Sequence, residues 1–292
     1  MSDRKRRFGD RYDGRLVRGL DPFFKIMPYI MKDRVDSMNF FEDKIDITGT
    51  EAYLRAKRDA GIKNIGFLHI VIAALVRTMA VKPGINRFIA GQRIYARNEI
   101  LVSLALKKEM REEGLETTVK IKFEPTDTLA DVVARVNAEV GENKKAETEN
   151  GTDQTAKLFT MIPGFLLKFV VWALKKLDYY GWMPKIINQV SPFHTSVFVT
   201  DLGSLGIQPV YHHLYEFGTT SVFVAFGTKQ REKTVSKDNE IVTKEYVYFK
   251  VSTDERTVDG FYYAKALKVF KSMIQHPERL ELPPEQVVED LA

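Results

Sequence analysis

The stretch that decides the fold is STDERTVDG, residues 252–260. A β-branched and aromatic segment, 246–252, precedes it, and apolar residues at helical spacing follow from 260 to 274. This order predicts a strand that passes into a helix through a charged turn. Gly260 is expected to be structural, since a tight strand-to-helix turn needs a residue without a Cβ atom, and Gly260→Val should disturb the fold.

The segments around this turn alternate between strand-like and helix-like patterns, which predicts an α/β domain with a largely mixed sheet. The last helix is expected to turn Phe261, Ala264, Leu267 and Phe270 inward, and residues 231–240 are expected to form a charged hairpin loop. The predicted strands are 39–48, 92–97, 100–106, 117–123, 195–201, 220–226 and 246–252, and the predicted helices are 48–60, 66–81, 125–140 and 260–274.

Residues 141–190 interrupt this pattern. The stretch 141–157 holds no large apolar side chain and predicts a solvated loop. The following LFTMIPGFLLKFVVWAL, residues 158–174, is apolar but is broken by Pro163, Gly164 and Lys168, so it falls short of a membrane span. We interpret 158–190 as an apolar helical insertion that packs on the domain or on a neighbouring subunit. A lid over an apolar substrate and a contact with a membrane surface are the alternatives.

The charge distribution argues against nucleic-acid binding. The chain has a formal net charge of +5, and the first twenty residues carry seven basic and three acidic groups, so the remainder is close to neutral. Residues 1–20 are therefore expected to be a basic, mobile arm, and residues 21–285 a single domain. The N-terminus shows no apolar signal segment, which predicts a cytoplasmic protein.

Several site chemistries lack their usual residues. The chain has no cysteine, and its five histidines show no zinc-type spacing, so no metal site is expected. Neither a glycine-rich phosphate loop nor a G-x-S-x-G nucleophile elbow occurs, which removes the usual support for nucleotide binding and for serine hydrolase chemistry.

The turn at 252–260 resembles the signature H-x-x-x-D-G of the chloramphenicol acetyltransferase superfamily. It is most similar to the form D-H-R-x-x-D-G found in the acyltransferases of 2-oxo-acid dehydrogenase complexes. Asp254, Arg256, Asp259 and Gly260 match this signature, and Glu255 stands at the position of the histidine.

Three further stretches resemble the same family and follow in the family's order. Together with the turn they span most of the chain from about 20 to 280. They are SVFVTDLGSLGI (196–207), similar to a T-I-S-N-L-G strand and turn, LHIVIAALVRTMAVKPGINRFI (68–89), similar to an apolar helix that ends in proline and asparagine, and KIDITGTEAYL (44–54), similar to a V-D-V-T-A-L junction.

The resemblance implies a two-layer sandwich with a mixed sheet that assembles into a trimer, with active sites between subunits. Coenzyme A or acyl-coenzyme A and an acyl acceptor would enter a channel from opposite ends. By position, Glu255 would be the catalytic base, and Thr200 of a neighbouring subunit would donate a hydrogen bond to the oxyanion. Asp259 and Gly260 would be structural, the aspartate through an ion pair.

Glutamate in place of histidine changes the chemistry of the base. A carboxylate has a pKa near 4.3 against about 6.5 for imidazole, which lowers the driving force for proton transfer by roughly 3 kcal/mol. Burial in an apolar channel would recover part of this difference. A relocated histidine is the alternative base, with His194 ahead of the Thr200 strand and His213 behind its turn as the candidates.

These observations predict a free-standing, coenzyme A-dependent acyltransferase that acts on a small-molecule acceptor. No lipoyl group is expected on this chain, and the homotrimer could assemble further. The alternative function is a pseudoenzyme that keeps the scaffold for ligand binding or assembly. A third hypothesis is a membrane-surface protein that uses the basic arm and residues 158–174.

Overall fold

The computed structural model describes residues 5–62, 64–107, 116–143, 154, 157, 159–236 and 238–290. Ten strands are found in this part of the chain. They are β1 (Gly14–Leu16), β2 (Met38–Asp46), β3 (Arg87–Ala90), β4 (Arg93–Arg97), β5 (Ile100–Lys107), β6 (Glu116–Phe123), β7 (Val197–Asp201), β8 (Val222–Phe226), β9 (Gln230–Val235) and β10 (Ile241–Asp254).

Seven of these strands form the main sheet, in the order β2-β10-β8-β7-β5-β6, with β9 paired to the first half of β10. β7 runs parallel to β5 and β8, and the other pairs are antiparallel, so the sheet is mixed as predicted. β10 is the longest strand and ends at Asp254, which places the charged turn at one end of the sheet.

Seven helices in the described residues complete the fold. α3 is buried on nearly every side, because it packs in the same core as the sheet, α4 and α7, and this explains its almost uniformly apolar sequence. The helices are α1 (Pro22–Ile30), α2 (Thr48–Asp59), α3 (Phe67–Val81), α4 (Leu129–Asn143), α5 (Gly164–Tyr179), α6 (Lys185–Val190) and α7 (Gly260–Gln275).

The N-terminal arm is not mobile from Asp10 onward, contrary to the prediction. β1 pairs with β4, and β4 with β3, in a separate three-stranded antiparallel sheet. Arg11 is only 4% exposed and forms ion pairs with Asp13 and Asp178. The sequence prediction missed this packing because Asp178, the second ion-pair partner of Arg11, lies 167 positions away in the sequence.

Two further details differ from the sequence prediction. Half of the charged stretch 231–240 is not a loop, because residues 231–235 belong to β9, which pairs with the start of β10. Along α7 the buried residues are Tyr263, Ala266, Phe270 and Ile274, while Phe261 is exposed. Both faces of this helix carry aromatic residues, so spacing alone could not choose between them. The polar loop predicted at 141–157 lies largely outside the described residues.

Candidate active site

The charged turn is held together by a buried ion pair between Asp254 and Arg256. The guanidinium Nε and Nη2 lie 2.8 and 2.7 Å from the two carboxylate oxygens, and both side chains are almost completely buried. Arg256 Nη1 also donates to the carbonyl oxygens of Met31 and Lys32 at 3.0 and 3.1 Å. The end of β10 is thereby tied to the segment that follows α1.

Glu255 lies between these two residues in the sequence, and its carboxylate contacts strand β2. Its backbone N–H donates to the carbonyl oxygen of Ser37 at 3.0 Å. Its Oε2 accepts a hydrogen bond of 2.8 Å from Asn39 Nδ2, on the neighbouring strand β2. The side chain is half-buried, and Oε1 has no hydrogen-bond partner in the described part of the chain. One oxygen is oriented while the other remains able to accept a proton.

Asp259 and Gly260 stand at the start of α7. Asp259 is the N-cap, and its Oδ1 accepts from the backbone N–H of Tyr262 at 2.6 Å. Among the described residues Asp259 forms no ion pair; the ion pair of the turn is instead the one between Asp254 and Arg256. An added Cβ at Gly260 would meet no atom of the described chain within 4 Å, so the steric argument for glycine was wrong.

Thr200 is half-buried in β7, far from Glu255 within the chain. Its register partner on β8 is Ala225, and the register partner of Ala225 on β10 is Lys250. Glu255 is five residues further along β10 and its turn, which adds roughly 17 Å along the strand direction to the two strand spacings between β7 and β10. One chain therefore does not bring the two predicted catalytic groups together.

His194 is fully buried, and both of its ring nitrogens are engaged. Nδ1 lies 2.8 Å from Ser191 Oγ, and Nε2 lies 3.3 Å from Asp178 Oδ2. Burial lowers the pKa of His194, although the hydrogen bond to Asp178 opposes this effect. His194 thus joins the start of β7 to α5.

His213 is exposed and lies on the loop between β7 and β8, where its ring stacks on that of His212. His212 Nδ1 donates to the backbone carbonyl of His213 at 2.8 Å, and its ring stacks on Phe223. The vicinal histidines are therefore occupied by aromatic stacking and by a local hydrogen bond.

A buried polar network around Asp178 was missed by the sequence analysis. Arg11 Nη2 lies 2.7 Å from Asp178 Oδ1, so the N-terminal segment is fastened to α5. Burial opposes ionisation of Asp178, but hydrogen bonds and charges from His194 and Arg11 outweigh it and hold its pKa below the usual range. In the sequence, the sign of this network was a single carboxylate, Asp178, near the end of a mostly apolar helix.

The apolar face of α5 is turned outward. Phe165, Phe169 and Trp172 are 78%, 60% and 55% exposed. Among the helices of the described residues, none combines the length and the apolar character needed to cross a bilayer. From Gly164 to Val190 the chain forms helices α5 and α6, and the aromatic face of α5 is not covered by the described part of its own domain.

Comparison with known proteins relates the chain to one family of catalytic domains. The family described as 2-oxoacid dehydrogenases acyltransferase (catalytic domain) matches residues 193–282, which include β7, β8, β10 and the charged turn. No curated protein matches the chain.

Solved structures extend the likeness to most of the chain. A probable dihydrolipoamide acetyltransferase from Listeria monocytogenes is 15% identical, with 89% of this chain and 94% of that chain covered and a TM-score of 0.58. The cubic core of a pyruvate dehydrogenase multienzyme complex is 14% identical, with 84% of each chain covered and a TM-score of 0.52.

A dihydrolipoamide acetyltransferase from Azotobacter vinelandii is 13% identical, with 84% of each chain covered and a TM-score of 0.50. That protein was studied for the role of a serine, a histidine and an asparagine in its catalytic mechanism. Taken together, these comparisons confirm the predicted fold and the resemblance on which it was based.

Proposed function

Starting from a chain with the fold of the 2-oxo-acid dehydrogenase acyltransferase catalytic domain, we propose a coenzyme A-dependent acyltransferase in which Glu255 is the base. The observation that carries this proposal is the 2.8 Å hydrogen bond from Asn39 to Glu255. It orients a carboxylate at the position of the motif histidine, on a turn fixed by the buried pair of Asp254 and Arg256. A base must be held within reach of the proton that it removes.

The proposed reaction moves an acyl group between the thiol of coenzyme A and an acceptor. Glu255 removes the proton from the attacking group as it bonds to the acyl carbonyl carbon. The hydroxyl of Thr200 donates a hydrogen bond to the carbonyl oxygen, which becomes negatively charged. When the tetrahedral intermediate collapses, the bond to the leaving thiolate breaks, and protonated Glu255 returns the proton to the sulfur.

This mechanism needs more than one subunit. Thr200 and Glu255 lie at different ends of the sheet in one chain, so Thr200 of a neighbouring subunit would face Glu255 across the interface of a trimer. A solved neighbour with the same fold forms a cubic core, which supports an assembly of this kind and a larger one as an extension.

The replacement of histidine by Glu255 itself favours the alternative, a pseudoenzyme that keeps the scaffold for ligand binding or assembly. A carboxylate is a weaker base than imidazole at neutral pH. The two proposals agree on the fold and differ on whether acyl transfer depends on Glu255.

Calorimetric titration with coenzyme A and acetyl-coenzyme A, followed by an acetyl-transfer assay with dihydrolipoamide as the probe acceptor, separates them. We expect micromolar binding of the coenzyme by the wild type and by Glu255→Gln, and a loss of about 10²–10⁴ in the rate of transfer for Glu255→Gln. Glu255→His should restore transfer, and Glu240→Gln in the exposed hairpin is the matched control.

Absence of coenzyme binding by the wild type would overturn the acyltransferase proposal and favour the pseudoenzyme. Binding without transfer, or transfer that Glu255→Gln leaves unchanged, would overturn the role of Glu255.

A further inference from the structure

A basic cleft of about 440 Å³ lies beside the charged turn and does not include Glu255. Its walls come from the segment after α1, the β3–β4 hairpin, α5 and residues 216–218. We call it the Arg34 cleft and define it by Lys32, Arg34, Trp172, Lys175, Lys176 and Phe217.

Arg34 and Arg256 are the buried arginines that line this cleft, and Arg256 is already paired with Asp254. Arg34 is 7% exposed, and its Nη2 and Nη1 donate to the backbone carbonyls of Ile89 at 3.0 Å and Glu216 at 3.3 Å. Its Nε has no hydrogen-bond partner, and its guanidinium forms no ion pair in the described part of the chain. Two of its five N–H donors are therefore used.

Two of the other buried arginines of this region have a direct ion pair, whereas Arg97 resembles Arg34 in bonding to uncharged groups, those of Thr219. Arg11 is paired with Asp13 and Asp178, and Arg256 is paired with Asp254. A buried guanidinium without a carboxylate is unfavourable unless another anion compensates its charge. Arg34 therefore lacks the direct ion pair that Arg11 and Arg256 have. The charges of Asp254, Asp178 and Glu216 act on it without a direct contact.

The acidic groups of the cleft form no direct ion pair with Arg34. Asp178 is taken by Arg11 and His194, and Glu216 Oε1 accepts from the backbone N–H of Val35 at 2.9 Å. Asp33 is the remaining acidic residue of the lining and is exposed at the rim.

Three exposed lysines add to the positive charge. Lys32, Lys175 and Lys176 line the cleft, and none of them forms an ion pair with the described residues. Together with Arg34 they make four cations, against two lining carboxylates, Asp33 and Glu216, that form no ion pair in the described part of the chain. The cleft therefore has an excess of positive charge around a buried arginine.

We propose that the Arg34 cleft binds a phosphate group, with Arg34 as the anchor and Lys175 and Lys176 at the rim. Arginine presents several donors in a plane that suits oxyanions, and lysine is a common phosphate ligand that acts as a point charge. Trp172 and Phe217 form an apolar wall of the cleft, against which an organic group that carries the phosphate could pack. This proposal does not rest on the proposed acyltransferase function.

Titration calorimetry with inorganic pyrophosphate at low ionic strength tests the site. We expect the wild type to bind pyrophosphate, and Lys175→Gln combined with Lys176→Gln to weaken binding by at least about tenfold, because two exposed cations are removed without disturbing the core. Lys168→Gln, on the same helix but outside the cleft, should leave binding unchanged. Glu255→Gln should also leave it unchanged, which separates this site from the proposed catalytic one.

A second variant tests the anchor itself. Arg34→Met removes the buried charge and keeps the length of the side chain, so it should abolish pyrophosphate binding while the thermal midpoint without ligand stays the same or rises. A purely structural Arg34 would instead give a lower midpoint and unchanged pyrophosphate binding by the refolded variant. That result, or wild type that binds no pyrophosphate at millimolar concentration, or equal weakening by Lys168→Gln, overturns the proposal.

The source of the phosphate is distinguished by the ligand. Adenosine 3′,5′-bisphosphate that binds at least tenfold more tightly than pyrophosphate, with the gain lost in Trp172→Ala, indicates an organic phosphate ester. Equal binding of the two ligands indicates free phosphate anions, and either result leaves Arg34 as the anchor.

Discussion

The charged turn and the insertion helix α5 both combine charged and apolar residues, but they differ in how much of each is buried within the domain. At the turn, Asp254 and Arg256 satisfy each other inside the chain and are almost completely buried. Along α5, which lies wholly within the described residues, Asp178 is the one buried residue, and the aromatic face is exposed. The contacts that fix the turn lie within the domain, whereas α5 is fastened near its C-terminal end and its aromatic face is exposed.

The fastening of α5 and α6 is polar. Arg11 and His194 hold Asp178, and Lys120 of β6 donates from Nζ to the backbone carbonyls of Asn188, Ser191 and His194. Polar contacts of this kind fix direction and respond to pH, while burial of apolar area supplies most of the stability elsewhere in the fold.

The largest effect is expected at the turn. Arg256→Met should lower the free energy of unfolding by about 3–5 kcal/mol, because it leaves the buried Asp254 carboxylate without a counter-charge. Urea unfolding measures the change. Arg231→Met breaks an ion pair with Glu245 in which the arginine side chain is 75% exposed, and it should cost at most about 1 kcal/mol. Equal losses in the two variants would show that water or another cation reaches Asp254.

The sequence was sufficient to predict the turn and the mixed sheet because both depend on local patterns. Period-two alternation in a strand, a charged turn and a following helix can each be recognised from residues that are close in the sequence. The structure has these elements within a few residues of the predicted bounds. Glu255 was recognisable as the residue at the histidine position for the same reason.

The contacts that hold the arm and the insertion could not be predicted this way. Arg11 and Asp178 are 167 positions apart, and Arg34 and Glu216 are 182 apart. Periodicity carries no information on which distant charges will meet in a folded chain. A basic arm and an apolar helix were therefore each interpreted alone, and the arm was wrongly expected to be mobile. The steric requirement at Gly260 was wrong because the helix begins there in an ordinary conformation with open space beside it.

Lys120, which holds α6 and the start of β7, should make the stability of the fold depend on pH. Burial, followed by the charge of Arg97, lowers the pKa of Lys120 to about 7. The unfolded chain, with a lysine pKa near 10.4, keeps a proton that the folded lysine releases above about pH 7. The free energy of unfolding should therefore rise between pH 7 and 10, by up to about 1.4 kcal/mol per pH unit from this group.

Lys120→Met should remove that rise, measured as the difference in urea unfolding between pH 7.5 and 9.5. Lys122 is the matched control, because it lies on the same strand but is half-exposed and paired with Glu99, which raises its pKa. Lys122→Met should keep the rise. An unchanged rise in Lys120→Met would mean that this ammonium stays charged against the three carbonyls.

The smallest effect is expected on the exposed face of α5. Phe169 is 60% exposed and contacts Trp172 through stacked rings, so Phe169→Ser should change the free energy of unfolding by less than about 1 kcal/mol. The same change at Phe249, which is 1% exposed in the core, should cost at least about 3 kcal/mol. A large loss at Phe169 that grows with protein concentration would show that a neighbouring subunit buries this face. Sedimentation with anionic vesicles tests the membrane alternative, and wild type that stays in the supernatant would contradict it.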